Sequence, residues 1–184
     1  PDYRGYAGRV AGGVLRVGDE VMVLPSGLTS TITGIDSPTG PLQEATPGQA
    51  VTVLLADDLS ITRGDMICRP NNRPRASQEL EAMLCWMDDA APMQPGKIYT
   101  IKHTSKVART KITEVLYRLN ISTLSRETGV NQLAMNEIGR VTLHTTAPLL
   151  YDDYHQNRTT GCFIIVDEAT GQTAGAGMLL SPRT

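Results

Sequence analysis

Apolar and β-branched residues come in short runs through the first third of the chain, each cut off by glycine or proline. Val21-Met22-Val23-Leu24 is closed by Pro25-Ser26-Gly27, and Ser30-Thr31-Ile32-Thr33 ends at Gly34. Gly12-Gly13 and Gly18-Asp19 mark tight turns, and Pro38-Thr39-Gly40-Pro41 reads as a loop. Pro47-Gly48 suits the two central positions of a type II turn, because proline presets one φ and glycine permits the positive one. Ala50 to Leu55 follows as a buried strand. Short strands with turn signals about every ten residues predict a small antiparallel barrel.

The polar, proline-bearing stretch Cys68-Arg69-Pro70-Asn71-Asn72-Arg73-Pro74-Arg75 predicts a linker over 70–77, between a first domain over 1–69 and a second over 78–184. In the second part, Leu80 to Met87 suits either a helix or a strand. Lys97-Ile98-Tyr99-Thr100-Ile101-Lys102 alternates as a strand does. Ala108, Ile112, Val115, Leu116 and Leu119 recur at helical spacing. The β-branched Thr110, Ile112, Thr113 and Val115 oppose that, yet the local pattern alone tips toward a helix. Arg140 to Thr145 and Cys162 to Val166 predict strands, and Ala169-Thr170-Gly171-Gln172 a hairpin turn into Thr173 to Leu180.

The 184 residues are 40% hydrophobic and 20% charged, which is ordinary for a globular protein. With one Trp and one Phe, the core must rest on aliphatic side chains. A formal net charge of −2 lacks the basic excess that neutralises phosphates, so nucleic acid is not an expected partner. The local cluster Arg69, Arg73 and Arg75 is expected to be a solvated linker. Cys68, Cys85 and Cys162 form neither a disulfide framework nor a zinc spacing. Each has apolar or strand-like neighbours, so buried thiols are expected, in keeping with a cytoplasmic location. No apolar run approaches the ~18 residues of a membrane helix, and no signal peptide opens the chain.

Candidate chemistry is sparse. Gly8-x-x-x-Gly12-Gly13 and Gly175-Ala176-Gly177 open no helical pattern, so turns or close strand packing are expected there, not a phosphate cradle. Asp152-Asp153-Tyr154-His155 gathers two carboxylates and an imidazole, but consecutive loop residues point apart. His103, His144 and His155 are isolated and read as packed or surface histidines. Asp57-Asp58 and Asp88-Asp89 are neighbours whose side chains face apart. No Gly-x-Ser-x-Gly elbow and no Gly-x-x-x-x-Gly-Lys-Ser/Thr loop occurs. No catalytic, cofactor-binding or metal-ligating residue is assigned.

Gly8 to Val21, Pro47-Gly48-Gln49-Ala50-Val51 and Arg63-Gly64-Asp65-Met66-Ile67 resemble the second domain of elongation factor Tu and its relatives. Trp86-Met87-Asp88, Pro95 to His103, Leu133 to Val141, Pro148 to Tyr154, Asn157 to Gly161 and Ala174 to Met178 extend the resemblance. Together they are similar to the large, GTPase subunit of bacterial sulfate adenylyltransferase (ATP sulfurylase). Nodulation protein Q and fusions with adenylylsulfate kinase share that stretch. The resemblance implies an all-β chain of two consecutive β-barrels of the elongation factor Tu domain 2 and domain 3 type. It thereby favours a strand over Ala108–Leu119. It further implies a non-catalytic barrel region that supports GTP-driven formation of adenylyl sulfate from ATP and sulfate. The implied partners are an N-terminal GTPase domain, a small catalytic subunit and, in some members, a fused kinase. GTP and Mg belong to the GTPase domain and ATP to the small subunit, with no cofactor in this stretch. The phosphate loop, magnesium ligands and guanine-reading motif are expected ahead of Pro1, and any kinase after Thr184. The alternative is an elongation-factor-like tail that binds aminoacyl-tRNA.

Overall fold

The structure, a computed structural model, describes residues 3–181; residues 1–2 and 182–184, the outer ends of the two expected domains, lie outside the described residues. Two compact units divide at Pro74 and Arg75. Among the described residues there is no helix.

The first unit holds β1 (Tyr6–Arg9), β2 (Leu15–Arg16), β3 (Glu20–Leu24), β4 (Leu28–Ser37), β5 (Gly40–Leu42), β6 (Glu44–Ala45), β7 (Ala50–Leu55) and β8 (Met66–Cys68). Its main sheet runs β1-β7-β4-β3-β8, with β5 beside β4 and a separate β2–β6 ribbon. Alternation sends Val21 and Val23, and Val51 and Val53, inward, and Ile32 and Ile35, three apart across a register shift, also point inward. All but Val23 join Val10 and Ala45 in one apolar cluster. Gly34 does not end its strand, as the sequence pattern suggests. It sits at a register shift where β4 passes β7, and a Cβ there would lie 3.0 Å from Leu54 Cδ1. The glycine is a bulge that lets the strand continue to Ser37. Gly48, at φ +91°, makes the expected turn, closed by the Gln49 amide donating to the Thr46 carbonyl at 3.2 Å.

The second unit holds β9 (Arg75–Trp86), β10 (Ile98–His103), β11 (Lys106–Leu119), β12 (Arg126–Glu127), β13 (Ile138–Tyr151), β14 (Cys162–Val166) and β15 (Thr173–Leu180). The sheet runs β10-β14-β15-β9-β13-β11-β12, and β10 also pairs with β11. That last pairing closes a ring, from which only β12 hangs as an appended strand. Every pairing is antiparallel. Residues 75–77, placed by sequence pattern in the linker, instead begin β9, where they pair with Tyr151, Leu150 and Leu149.

The helical spacing over Ala108 to Leu119 has a physical origin in a strand. Ala108, Thr110 and Ile112 point inward in strict alternation. Register shifts between Ile112 and Glu114, and again between Val115 and Tyr117, then each advance the phase by one residue. The next inward residue is therefore Val115, and the buried positions mimic a helical repeat. The core of this barrel is built on Leu84, Trp86, Tyr99, Ile101, Ile112 and Leu143 among others, all essentially inaccessible. The Trp86 indole meets the Tyr99 ring edge-on at 5.4 Å and donates Nε1–H to the Ala91 carbonyl at 2.8 Å. Trp86→Ala empties this position and is expected to cost about 3–5 kcal/mol, read as a lower urea midpoint. A midpoint unchanged from the parent chain would contradict this packing.

Candidate functional site

A strand in a barrel shows alternate side chains to the outside, so residues paired across strands form rows on the outer surface. In the second unit one row runs Cys162, Met178, Met83, Arg140 and Tyr117, on β14, β15, β9, β13 and β11. The row beside it runs Lys102, Ile164, Ala176, Cys85, Ile138 and Leu119. Apart from Arg140, Tyr117 and Leu119 at their far ends, these two rows line an open groove of about 500 Å³. Its walls are mostly apolar or sulfur-bearing, which is unusual for the water-facing side of a barrel. Ile164 remains 37% exposed and Met178 36% exposed. Nothing in the sequence announces this groove, because its residues are scattered from Met83 to Met178.

The inner face explains the glycines of Gly175-Ala176-Gly177. A Cβ on Gly177 would lie 2.2 Å from Phe163 Cζ, and one on Gly175 would lie 3.0 Å from the Cys85 carbonyl oxygen and 3.2 Å from Trp86 Cε3. Both glycines make room for core rings. Gly8 lies within β1, and Gly13, at φ +69°, lies in the turn that follows it. Neither stretch opens a helix.

The thiols differ from expectation. Cys68 is buried, but Cys85 is half-buried and Cys162 exposed. Alternation is the cause: Leu84 and Trp86 take the inward positions of β9, and Phe163 and Ile165 those of β14. The apolar neighbours that suggested burial are themselves the buried residues.

The flagged polar residues are held apart. His103 is buried, and its Nε2–H donates to the Thr160 carbonyl at 2.6 Å. Burial pushes its imidazole below the usual histidine range, against the opposing pull of that carbonyl, so the ring is neutral near pH 7. His144 pairs with Glu79 on the exposed face. Asp152 accepts the Thr160 hydroxyl at 2.7 Å. Asp153 accepts the His155 amide and ring at 2.9 Å each and the Ser181 amide at 2.7 Å. Burial works to raise the Asp153 carboxyl, but these donors outweigh it and hold it at about 2. Asp57 accepts the Ser30 hydroxyl at 2.8 Å and Asp58 pairs with Arg4. Asp88 caps the Ala90 amide at 2.8 Å. Of the arginine cluster, Arg69 donates to Asp19 at 2.7 Å and Arg73 to the Pro70 carbonyl at 2.6 Å, while Arg75 begins β9. Among the described residues no three His, Cys, Asp or Glu side chains gather to hold a metal ion.

Charge is used instead to tie barrel elements. Arg118 on β11 bridges Glu127 on β12, at 2.7 Å, and Glu137 before β13, at 2.5 Å. Arg140 pairs with Glu81 beside the groove. Asp167 is buried at the β14–β15 turn. It accepts Lys97 Nζ at 2.6 Å through one oxygen, and the Ala169 and Thr170 amides at 2.9 and 3.1 Å through the other. The Lys97 ammonium, with those amides, lowers its carboxyl to about 2.

Residues 79–180 match the family described as GTP-eEF1A C-terminal domain-like, and residues 6–68 match elongation factor Tu domain 2. The bifunctional enzyme CysN/CysC of Mycobacterium tuberculosis is 52% identical over 97% of this chain and 29% of its own length. Sulfate adenylyltransferase subunit 1 of Aeromonas hydrophila is 42% identical over 97% of this chain and 37% of its own length. The bifunctional enzyme NodQ of Rhizobium tropici is 41% identical over 98% and 28% respectively. The chain thus spans about a third of these relatives. Among solved structures, Sup35 complexed with GDP superimposes with a TM-score of 0.87 at 16% identity, over 98% of this chain and 46% of that one.

The Asp167 contacts carry a pH dependence. A carboxyl lowered to about 2 from 3.8 stabilises the fold above about pH 4 and loses that contribution as pH falls toward 2. In urea unfolding the parent chain should therefore lose more stability across this window than Asp167→Asn. Equal losses would contradict it.

Proposed function

As the chain belongs to the GTP-eEF1A C-terminal domain-like family, with elongation factor Tu domain 2 ahead of it, and its relatives include subunit 1 of sulfate adenylyltransferase, we propose that it is the non-catalytic barrel region of such a GTP-binding subunit. In this reading it supports GTP-driven formation of adenylyl sulfate. A sulfate oxygen attacks the α-phosphorus of ATP, the bond from that phosphorus to the leaving oxygen breaks, and pyrophosphate departs. The step is uphill, and GTP hydrolysis on a GTPase domain helps drive it. The bond-making site belongs to a separate small subunit. The observation that carries the reading is the 52% and 42% identity running through both units, against 16% with the translation-factor structure. The aminoacyl-tRNA alternative is less specific than this.

The role of these residues is mechanical. A GTPase changes state by ordering and releasing loops, and such loops shift a partner only if they press on a body that does not yield. A ring of antiparallel strands has no soft edge and suits that task. The dispersed hydrogen-bonding of His103, Asp152 and Asp153 supports a structural reading of these residues. The small catalytic subunit and the GTPase domain are its partners, with a fused kinase in bifunctional members.

The test is retention of the small catalytic subunit by this chain on a column, alone and with the GTPase domain supplied. Retention in at least one arrangement is expected. Failure in both, or retention of aminoacyl-tRNA on a filter at low salt, would overturn the reading.

A further inference from the structure

The groove on the second barrel is one continuous strip. Lys102, Ile164, Ala176, Cys85 and Ile138 lie successively across from one another on β10, β14, β15, β9 and β13, and all five line it. Strand spacings of about 4.8 Å make this row roughly 19 Å long. Cys162, Met178 and Met83 form the row beside it. Apolar side chains thus meet water along a strip that crosses five strands, and such strips mark places where another molecule docks. Met83 and Met178 suit docking, because an unbranched thioether side chain adapts to what covers it.

Charge says what covers the strip. Lys102 is the one charged side chain lining the groove, and no carboxylate lines it. Elsewhere on this barrel cations have their own anions: Lys97 has Asp167, Arg109 has Glu168 and Arg140 has Glu81. Among the described residues no carboxylate pairs with Lys102, which is exposed. A molecule laid over the strip takes that ammonium out of water, which is costly unless the molecule brings an anion. The occupant therefore combines large apolar side chains with a carboxylate at one end. A small molecule would stay largely wet in so long and open a groove, whereas small-molecule sites enclose their ligands. The occupant is a protein surface.

We infer that this groove is where the small catalytic subunit docks, through an apolar segment whose acidic residue meets Lys102. The inference rests on the proposed function and locates the contact which that function requires. A GTPase domain in the same chain is kept at high effective concentration by its tether. A separate subunit is held by contact alone, and so needs an anchored apolar strip.

The test is the affinity of the small catalytic subunit for the 184-residue chain, measured by sedimentation with the GTPase domain supplied. Lys102→Glu changes only exposed surface in the free chain, but sets two carboxylates against each other in the complex. It should weaken binding by roughly tenfold or more. Ile164→Asp buries an unpaired carboxylate on docking and should do the same. Lys111→Glu, exposed on β11 outside the groove, should bind as the parent does. Added salt should weaken the parent more than Lys102→Met, because only the parent has the ion pair to screen. Thermal unfolding of each variant separates lost docking from misfolding. Parent-like binding by folded Lys102→Glu or folded Ile164→Asp would overturn the groove as the contact and leave the proposed function standing. No binding by the parent chain would overturn both. If Ile164→Asp instead loses self-association or GTPase-domain binding while keeping the small subunit, the groove has another occupant and the inference falls.

Discussion

The backbone pairing of β10 with β11 is the constraint on which the second unit depends. It joins the two ends of a path that otherwise runs β10-β14-β15-β9-β13-β11 as an open sheet. Once joined, the strands cannot slip singly, because a one-residue slip would turn every inward side chain outward. The inward set, with Trp86, Tyr99, Ile112 and Leu143 at its centre, is thereby fixed. So is the outward set. Cys162, Met178 and Met83 stand in line on the surface only because the register inside is locked.

Polar groups follow the same logic. His103, Asp152, Asp153 and Asp167 are the groups that in another fold would invite catalytic roles. Here each is committed to a backbone amide, a carbonyl, a hydroxyl or a lysine that fastens a turn. Such a body is in keeping with the proposed role as a frame for a GTP-driven adenylyl transfer, a reading carried by the identity to the relatives. The carboxyls of Asp153 and Asp167, both lowered to about 2, are then marks of structural fastening, not of activation.

Much of the fold was legible where local chemistry and tertiary structure agree. Pro47-Gly48 turns, Lys97 to Lys102 alternates, and Gly171 at φ +71° ends the last hairpin turn. The barrel type and the relatives were legible through motifs such as Pro47 to Val51 and Ala174 to Met178. What misled was bulging. Two register shifts in β11 gave a strand the spacing of a helix, and Gly34 looked like a stop where it is a kink. Cys85 and Cys162 looked buried because their neighbours are. The groove was illegible because cross-strand rows leave no trace in residues spread from 83 to 178.

The central claim, that the second unit is one rigid closed ring, is most directly tested by native-state hydrogen exchange. If the β10–β11 seam is a true closure, the amides of Ile101 and Ala108 exchange only through the global unfolding that also releases those of β9 and β13, with the same free energy and denaturant dependence. Exchange of the seam amides through a separate, lower-energy opening would show an open sheet, and would contradict the account.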